Sequence, residues 1–484
     1  MKDKLNHILD AIYIISLVSA IVLSYLSIGC DYLRWNLNLI CWGVVVLTSI
    51  IIFVFNIRKW KKHLIVLLSF ISITPIMVLY SIGIVLMAAG IYVASLFNKK
   101  ARQMVSGHSG IYKTLRQKAD PNAKYLWFHA ASLGEFEQGR PIIEAVRRDN
   151  PEYKILLTFF SPSGYEVRKD YAQADIVCYI PFDTTWNARK FLSLINIERA
   201  FFIKYEFWPN FLRVLHRKGI RTYSVSSIFR QDQHIFKWYG YPVRRALHHF
   251  DHLYVQDDNS RDLLAGIGIK DVTIVGDTRA DRVLQIAAES KELPLIEKFS
   301  HQSRVFIAGS SWPADEDLFI QFFMARREWK LIIAPHVIDE CHLAEIEHKL
   351  AGRRFLRYSK ATEDNIMDPD VLIIDCFGLL SSIYRYGEIA YIGGGFGVGI
   401  HNTLEAAVYG IPVIFGPNNQ RFREARQLIQ RGGGFEITDF NSLKTTIDKF
   451  ISDPAFLKAS GKAAGDYVLF SKGTSEQIVK SLKL

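Results

Sequence analysis

Two glutamates, one arginine and a glycine-rich run are the residues of this chain best placed to do chemistry. Glu135 closes the run His129-Ala-Ala-Ser-Leu-Gly-Glu135, which follows a strand-like segment and opens a helix. A carboxylate in that first turn, at the mouth of a cleft, can accept a proton from a substrate hydroxyl. Taken alone, the residue is better explained as a helix-start acid complementing the dipole, worth roughly a few tenths of a kcal/mol. Glu206, in Tyr205-Glu-Phe-Trp-Pro-Asn210, ends another strand-like segment and lands on the same rim. Two carboxylates from different strand ends form a site hypothesis, while Trp208 reads as a core anchor. Arg279, in Gly276-Asp-Thr-Arg-Ala-Asp281, could aim a cation at a developing negative charge. A solvated helix-start arginine explains it as well.

The run Gly393-Gly-Gly-Phe-Gly-Val-Gly-Ile-His-Asn-Thr-Leu-Glu405 leads from a buried strand into a helix expected near Asn402. Such a loop lets a phosphate approach backbone N–H groups, and Glu405 could accept hydrogen bonds from ribose hydroxyls. It fits neither GxGxxG nor the P-loop pattern, which argues against a nicotinamide dehydrogenase and an NTPase. Ala334-Pro-His336 and Phe377-Gly-Leu-Leu380 close two more strands and could add base and phosphate contacts. His248-His-Phe-Asp-His252 straddles a helix end and a strand start, so its rings diverge; no metal site is expected there.

These segments need a scaffold. From residue 124 short β-branched and aromatic runs alternate with amphipathic stretches of 10–20 residues. The runs 125–129, 154–159, 176–180, 199–203, 221–225, 253–256 and 272–275 read as strands of one half. A plausible hinge, 292–300, is followed by 304–308, 330–334, 371–375, 389–392 and 412–415 in a second half. Strand–helix alternation predicts an α/β chain with two doubly wound, Rossmann-like parallel sheets facing across a cleft. The expected domains are 1–100, membrane-anchoring helices; 101–293, an N-terminal α/β domain; and 294–484, a C-terminal α/β domain. The last helix, 471–484, is expected to pack back on the first half, and the halves to close during turnover.

The first hundred residues differ from the rest. Apolar runs cover 11–28, 38–56 and 64–97, the last with Pro75 inside it. The first two are near the ~20 residues of a membrane-crossing helix. Residues 1–100 hold nine basic and three acidic side chains, more than half of the chain's net charge of +11. With basic residues clustered at 58–62 and 99–102, the positive-inside rule puts the following body in the cytoplasm. A membrane surface therefore explains the basic balance better than nucleic acid does. No charged residue interrupts the apolar runs, so an anchor is expected rather than a channel. Five scattered cysteines without a CxxC exclude a disulfide framework and fit a reducing compartment.

The ordered set of motifs resembles the 3-deoxy-D-manno-octulosonic acid (Kdo) transferase family of Gram-negative bacteria, over about residues 80–484. It rests on the runs ending at Glu135, Asn210, Asp281 and Glu405, together with Ser161-Pro-Ser-Gly164. The resemblance implies a GT-B glycosyltransferase that moves Kdo from CMP-Kdo to a lipid A precursor, lipid IVA, at the inner face of the cytoplasmic membrane. It implies Glu135 as general base, Glu206 and Arg279 as stabilisers of the transition state, and no cofactor or metal. Pro335, His336, Gly378, Leu379, Leu380, Asn402, Thr403, Leu404 and Glu405 match the family's CMP-binding segments. Three positions depart from the family pattern: Arg279 for Lys, His336 for Arg, and Leu379 for an acidic or polar residue. Family members typically begin near residues 81–97, which leaves 1–79 as an addition. The alternatives are another GT-B enzyme using a UDP-sugar, either a lipid-linked transferase or an epimerase, and a non-catalytic membrane scaffold.

Overall fold

The computed structural model describes residues 76–482. Fourteen strands occur among them. In chain order the first sheet holds β1 Tyr125–Ala130, β2 Lys154–Phe159, β3 Ile176–Tyr179, β4 Ile197–Ile203, β5 Arg221–Ser227, β6 His252–Val255 and β7 Val272–Ile274. The second holds β8 Arg304–Ser311, β9 Trp329–Pro335, β10 Phe355–Arg357, β11 Val371–Ile373, β12 Ile389–Ile392, β13 Val413–Phe415 and β14 Gly434–Glu436. The orders are β3-β2-β1-β4-β5-β6-β7 and β10-β11-β9-β8-β12-β13-β14, and the pairings are parallel, as between β1 and β4 or β8 and β12.

Each order turns about its first strand, between β1 and β4 in one sheet and between β8 and β12 in the other. Such switch points leave a crevice outside the carboxyl ends of the strands. Strands buried on both faces need apolar side chains at every position. β1 (YLWFHA) and β12 (IAYI) meet that need, with all their residues buried. Trp127, fully buried, packs against Phe191, Phe202 and Phe211. Side chains of this size contribute about 1.5–3 kcal/mol each when fully buried.

The chain divides into two compact units. One comprises the residues up to Gly139 with Val146–Ile274; the other comprises Arg140–Ala145 with Val275–Leu484. Arg279 and the last helix, Thr474–Leu482, lie in the second unit, where Thr474 Oγ1 donates to Val275 O at 2.8 Å.

The N-terminal expectation is corrected here. Among the described residues no helix is long and apolar enough to cross a membrane. The helix Ile76–Ala94 falls in the third apolar run. Its first turns are docked on the first unit: Val78 and Ser81 are buried, Tyr80 donates to Asp183 Oδ2 at 2.9 Å, and Asn210 Nδ2 donates to Ser81 Oγ at 3.3 Å. The stretch beyond Ser81 rises only roughly 20 Å, short of the ~30 Å hydrocarbon core. The described helices therefore do not support the expected membrane-anchoring region, nor the inner-membrane partner and inner-membrane localisation inferred from it. The runs at 11–28 and 38–56 lie outside the described residues.

Candidate functional site

In the first unit the switch-point strands deliver both glutamates. β1 runs into the helix Leu133–Asp149, whose first turn holds Glu135. The Ser132 hydroxyl donates to Glu135 Oε2, so the N-cap serine orients this carboxylate instead of capping a backbone N–H. β4 runs into Lys204-Tyr205-Glu206 and the helix Pro209–Arg217. Glu206 Oε2 is held twice, by Trp208 Nε1 at 2.7 Å and by His129 Nε2 at 3.1 Å. The His129 ring is buried and fixed at Nδ1 by Thr158 Oγ1 at 2.9 Å. Nδ1 also lies 3.2 Å from Thr158 O, so both ring nitrogens face oxygen atoms. Trp208 thus packs against the core and also donates to a site carboxylate. Its sequence reading as an anchor covered only the first role, and His129 was missed as a site residue. The usable signal was a histidine ending a strand that pairs with the strand before Glu206.

Asp183, on the loop after β3, is the second anchor of this edge. Its oxygens accept from Asn210 N–H at 3.0 Å and Phe211 N–H at 2.9 Å. They cap the helix Pro209–Arg217, whose own N-cap residue, Trp208, makes no side-chain cap. Burial pushes the Asp183 carboxyl up to about 6, against the pull of those donors.

The second unit has its own assembly at the carboxyl ends of β8, β9 and β12. The ring of Trp312, which follows β8, lies 4.9 Å from that of His336, after β9. His336 lies 4.3 Å from His401, and Trp312 Nε1 donates to His401 Nε2 at 3.2 Å. Burial, with His336 alongside, lowers His401 to about 4, and burial also lowers His336. Both shifts favour the neutral ring, so the position offers stacking and hydrogen bonding. Two buried acids hold this set. Asp315 accepts from Gly394 N–H at 2.8 Å, Trp312 N–H at 3.0 Å and Tyr391 OH at 2.7 Å. Glu316 accepts from Ser311 Oγ at 2.9 Å and meets His342 Nε2 at 3.0 Å. Neither acid was singled out from sequence, where Pro313-Ala-Asp-Glu-Asp reads as an ordinary acidic helix start.

The glycine run is packed tightly backbone to backbone. Gly393 N–H donates to Gly309 O at 2.9 Å, Gly397 and Gly399 N–H donate to Gly394 O at 3.0 and 2.9 Å, and His401 N–H donates to Gly393 O at 3.2 Å. The glycines are needed for backbone contact. A Cβ on Gly393 would lie 2.2 Å from Ser310 O, and one on Gly395 would lie 2.5 Å from Gly416 N. The helix that follows is only Leu404–Ala407. Around it, Asn402 Nδ2 donates to Glu405 Oε1 at 3.0 Å, and Thr403 is buried with its hydroxyl unpartnered. Gly378 takes φ +88, and Leu379 and Leu380 pack on the core beside it.

Arg279 is clasped between carboxylates. Asp277 Oδ2 accepts its Nε at 2.9 Å, and Glu424 Oε1 lies 2.9 Å from Nη1. Burial works against the charge, but the two carboxylates outweigh it and hold the guanidinium firmly protonated. Among the described residues no group of three or more His, Cys, Asp or Glu side chains could hold a metal ion. The histidines of 248–252 face different partners: His249 stacks on His216 and His252 Nε2 meets Thr273 Oγ1 at 2.8 Å.

Two Rossmann-like units, each with a switch point in its parallel sheet, give the chain a GT-B fold, and its sequence relatives support glycosyltransferase activity on a nucleotide-sugar donor. More particularly, part of the chain is similar in sequence to Kdo transferases. The family model described as 3-deoxy-D-manno-octulosonic-acid transferase (kdotransferase) matches residues 104–282. The chain is 26% identical over 348 residues to a 3-deoxy-D-manno-octulosonic acid transferase of Aquifex aeolicus, covering 70% of this chain and 89% of that protein. It is 25% identical over 341 residues to a bifunctional glycosyltransferase/methyltransferase of Fusobacterium nucleatum, covering 67% of this chain and 52% of that longer protein. A UDP-GlcNAc 2-epimerase from Neisseria meningitidis, solved with UDP-GlcNAc bound, shares the fold with a TM-score of 0.55 at 13% identity, covering 74% of this chain and 99% of that one.

Proposed function

We propose that the chain transfers Kdo from CMP-Kdo to a lipid A precursor such as lipid IVA, with Glu135 as general base. The observation that carries the reading is the placement of Glu135 and Glu206 just beyond β1 and β4, the two strands that flank one switch point, in a chain whose relatives include named Kdo transferases. Glu135 takes the proton of the acceptor hydroxyl as the new C–O bond forms. The bond to the CMP phosphate breaks with its electron pair, leaving CMP. Glu206, held on one oxygen by His129 and Trp208, supplies a fixed negative charge for an oxocarbenium-like transition state. In the second unit, the Trp312–His336–His401 stack is suited to the flat face of a nucleobase, with the 378–380 and 402–405 segments beside it for ribose and phosphate. Arg279, already paired twice, acts through the two carboxylates it fixes.

A UDP-sugar donor is the second reading. Solved structures that share the fold include UDP-sugar enzymes such as the Neisseria meningitidis epimerase, which is what raises it. One experiment separates the two. The protein is incubated with CMP-Kdo and detergent-dispersed tetraacyl lipid A precursor, and in parallel with UDP-GlcNAc, and products are read by mass spectrometry and NMR. A lipid mass gain of one or more Kdo units supports the first reading. No gain, with C2 epimerisation of UDP-GlcNAc or sugar transfer from it, replaces it with the second.

A further inference from the structure

Beside Glu206 the first unit carries two cations that the mechanism leaves unused. Lys204 follows β4 with φ +65, a left-handed conformation costing a residue with a side chain roughly 1–2 kcal/mol. Its surroundings hold it there: Lys204 N–H donates to Val225 O at 2.8 Å, and Ser227 Oγ donates to Lys204 O at 2.8 Å. The neighbouring strand end repeats the pattern, with Ser226 at φ +56 and its carbonyl accepting from Gln256 Nε2 at 2.9 Å. Strained backbone maintained in this way clusters at ligand-binding sites.

The side chains converge. Lys204 Nζ lies 5.5 Å from the centre of the Tyr205 ring. Arg230 Cζ, from the loop after β5, lies 5.9 Å from the same centre, and Arg230 Nη1 donates to the Tyr205 hydroxyl at 3.1 Å. The nearest carboxylate to Arg230 is Asp232 at 3.8 Å, whose side chain is 79% exposed, a pair worth little in water. Among the described residues Lys204 takes part in no ion pair. Two like charges gathered on one ring repel, and the ring returns only roughly 0.5–1 kcal/mol to each. An anion reaching both would relieve that repulsion. We propose that Lys204 and Arg230, framing Tyr205 next to Glu206, bind the phosphate monoester of a sugar substrate. A guanidinium fork and a mobile ammonium together match the several acceptor oxygens of phosphate. The inference rests on the reading that this edge takes the acceptor sugar, and it names the group that orients that sugar.

The test is binding, without donor or transfer. The full chain is titrated with glucosamine 1-phosphate, glucosamine, glucuronate and inorganic phosphate by calorimetry. Glucosamine 1-phosphate is expected to bind about ten-fold or more tightly than glucosamine, and to lose about that factor in Lys204→Met and in Arg230→Gln, with Lys204→Arg recovering most of it. Circular dichroism checks that each variant folds. Arg230→Gln leaves the strained turn untouched and keeps the test decisive if Lys204→Met does not fold. Equal affinity for glucosamine and its phosphate, equal affinity for glucuronate, or variants indistinguishable from the parent overturn the proposal. Failure of Kdo transfer with phosphate binding intact overturns the acceptor reading alone.

Discussion

Replacing Glu135 by Gln removes a proton acceptor and keeps the shape of the side chain. If the carboxylate is the base, single-turnover transfer falls about 10²–10⁴-fold. If it only complements the helix dipole, the variant loses a few tenths of a kcal/mol of stability and keeps its rate. Trp208→Phe is the matching change on the other carboxylate. It preserves the ring packing on Phe160 and His129 and deletes the N–H on Glu206 Oε2. We expect folding to survive and the transfer rate to fall about ten-fold, as for a hydrogen bond to a charged group; an unchanged rate would show that His129 alone positions the carboxylate. Residue type and spacing made both glutamates legible. The double grip on Glu206 was not legible, because it joins side chains far apart along the chain.

Elements explain why the glycine run is placed where it is. The loop after β12 packs backbone to backbone against the ends of β8 and β13, where a side chain has no room. Gly395→Ala would place a Cβ 2.6 Å from Gly416 Cα, whereas a Cβ on Gly397 meets nothing within 4 Å. Urea unfolding should show Gly395→Ala destabilised by about 1–3 kcal/mol and Gly397→Ala within about 0.5 kcal/mol of the parent. Equal effects would mean that the loop's glycines serve flexibility, not close approach. The central strands were readable because strands buried on both faces must be continuously apolar. The edge strands β10 and β14 were not: Phe355–Arg357 and Gly434–Glu436 are short, partly exposed and carry charges.

For the whole molecule the clearest consequence concerns pH. His401, lowered to about 4 in the folded chain, has an ordinary value near 6.5 when unfolded. The unfolded chain therefore takes up a proton first, so the stability tied to the neutral ring is intact above about 6.5 and is lost as pH falls towards 4. Asp183, raised to about 6, has the opposite slope: its burial costs stability as pH rises from about 4 to 6. The parent's curve alone mixes the two. The difference between the parent and His401→Gln isolates the histidine and should shrink steadily between pH 6.5 and 4. A difference independent of pH would mean that the ring takes up its proton at the same pH folded and unfolded. The N-terminal helix shows the same dependence on the whole. Its composition suits lipid, but Tyr80 and Ser81 are spent on Asp183 and Asn210, which fixes its first turns to the first unit.

Local patterns in the chain were enough to determine two parallel α/β sheets, the order of their central strands in sequence, and the carboxylates at two strand ends. Periodicity, strand composition and turn glycines act over a few residues, so they can be read directly. Tertiary structure alone decided which groups hold those carboxylates, which acids clasp Arg279, how Trp312, His336 and His401 stack, and where the helix Ile76–Ala94 docks. The physical reason is separation: His129 and Glu206 stand 77 residues apart, and Trp312 and His401 stand 89 apart. Such contacts exist only once strand order has brought the ends of neighbouring strands together.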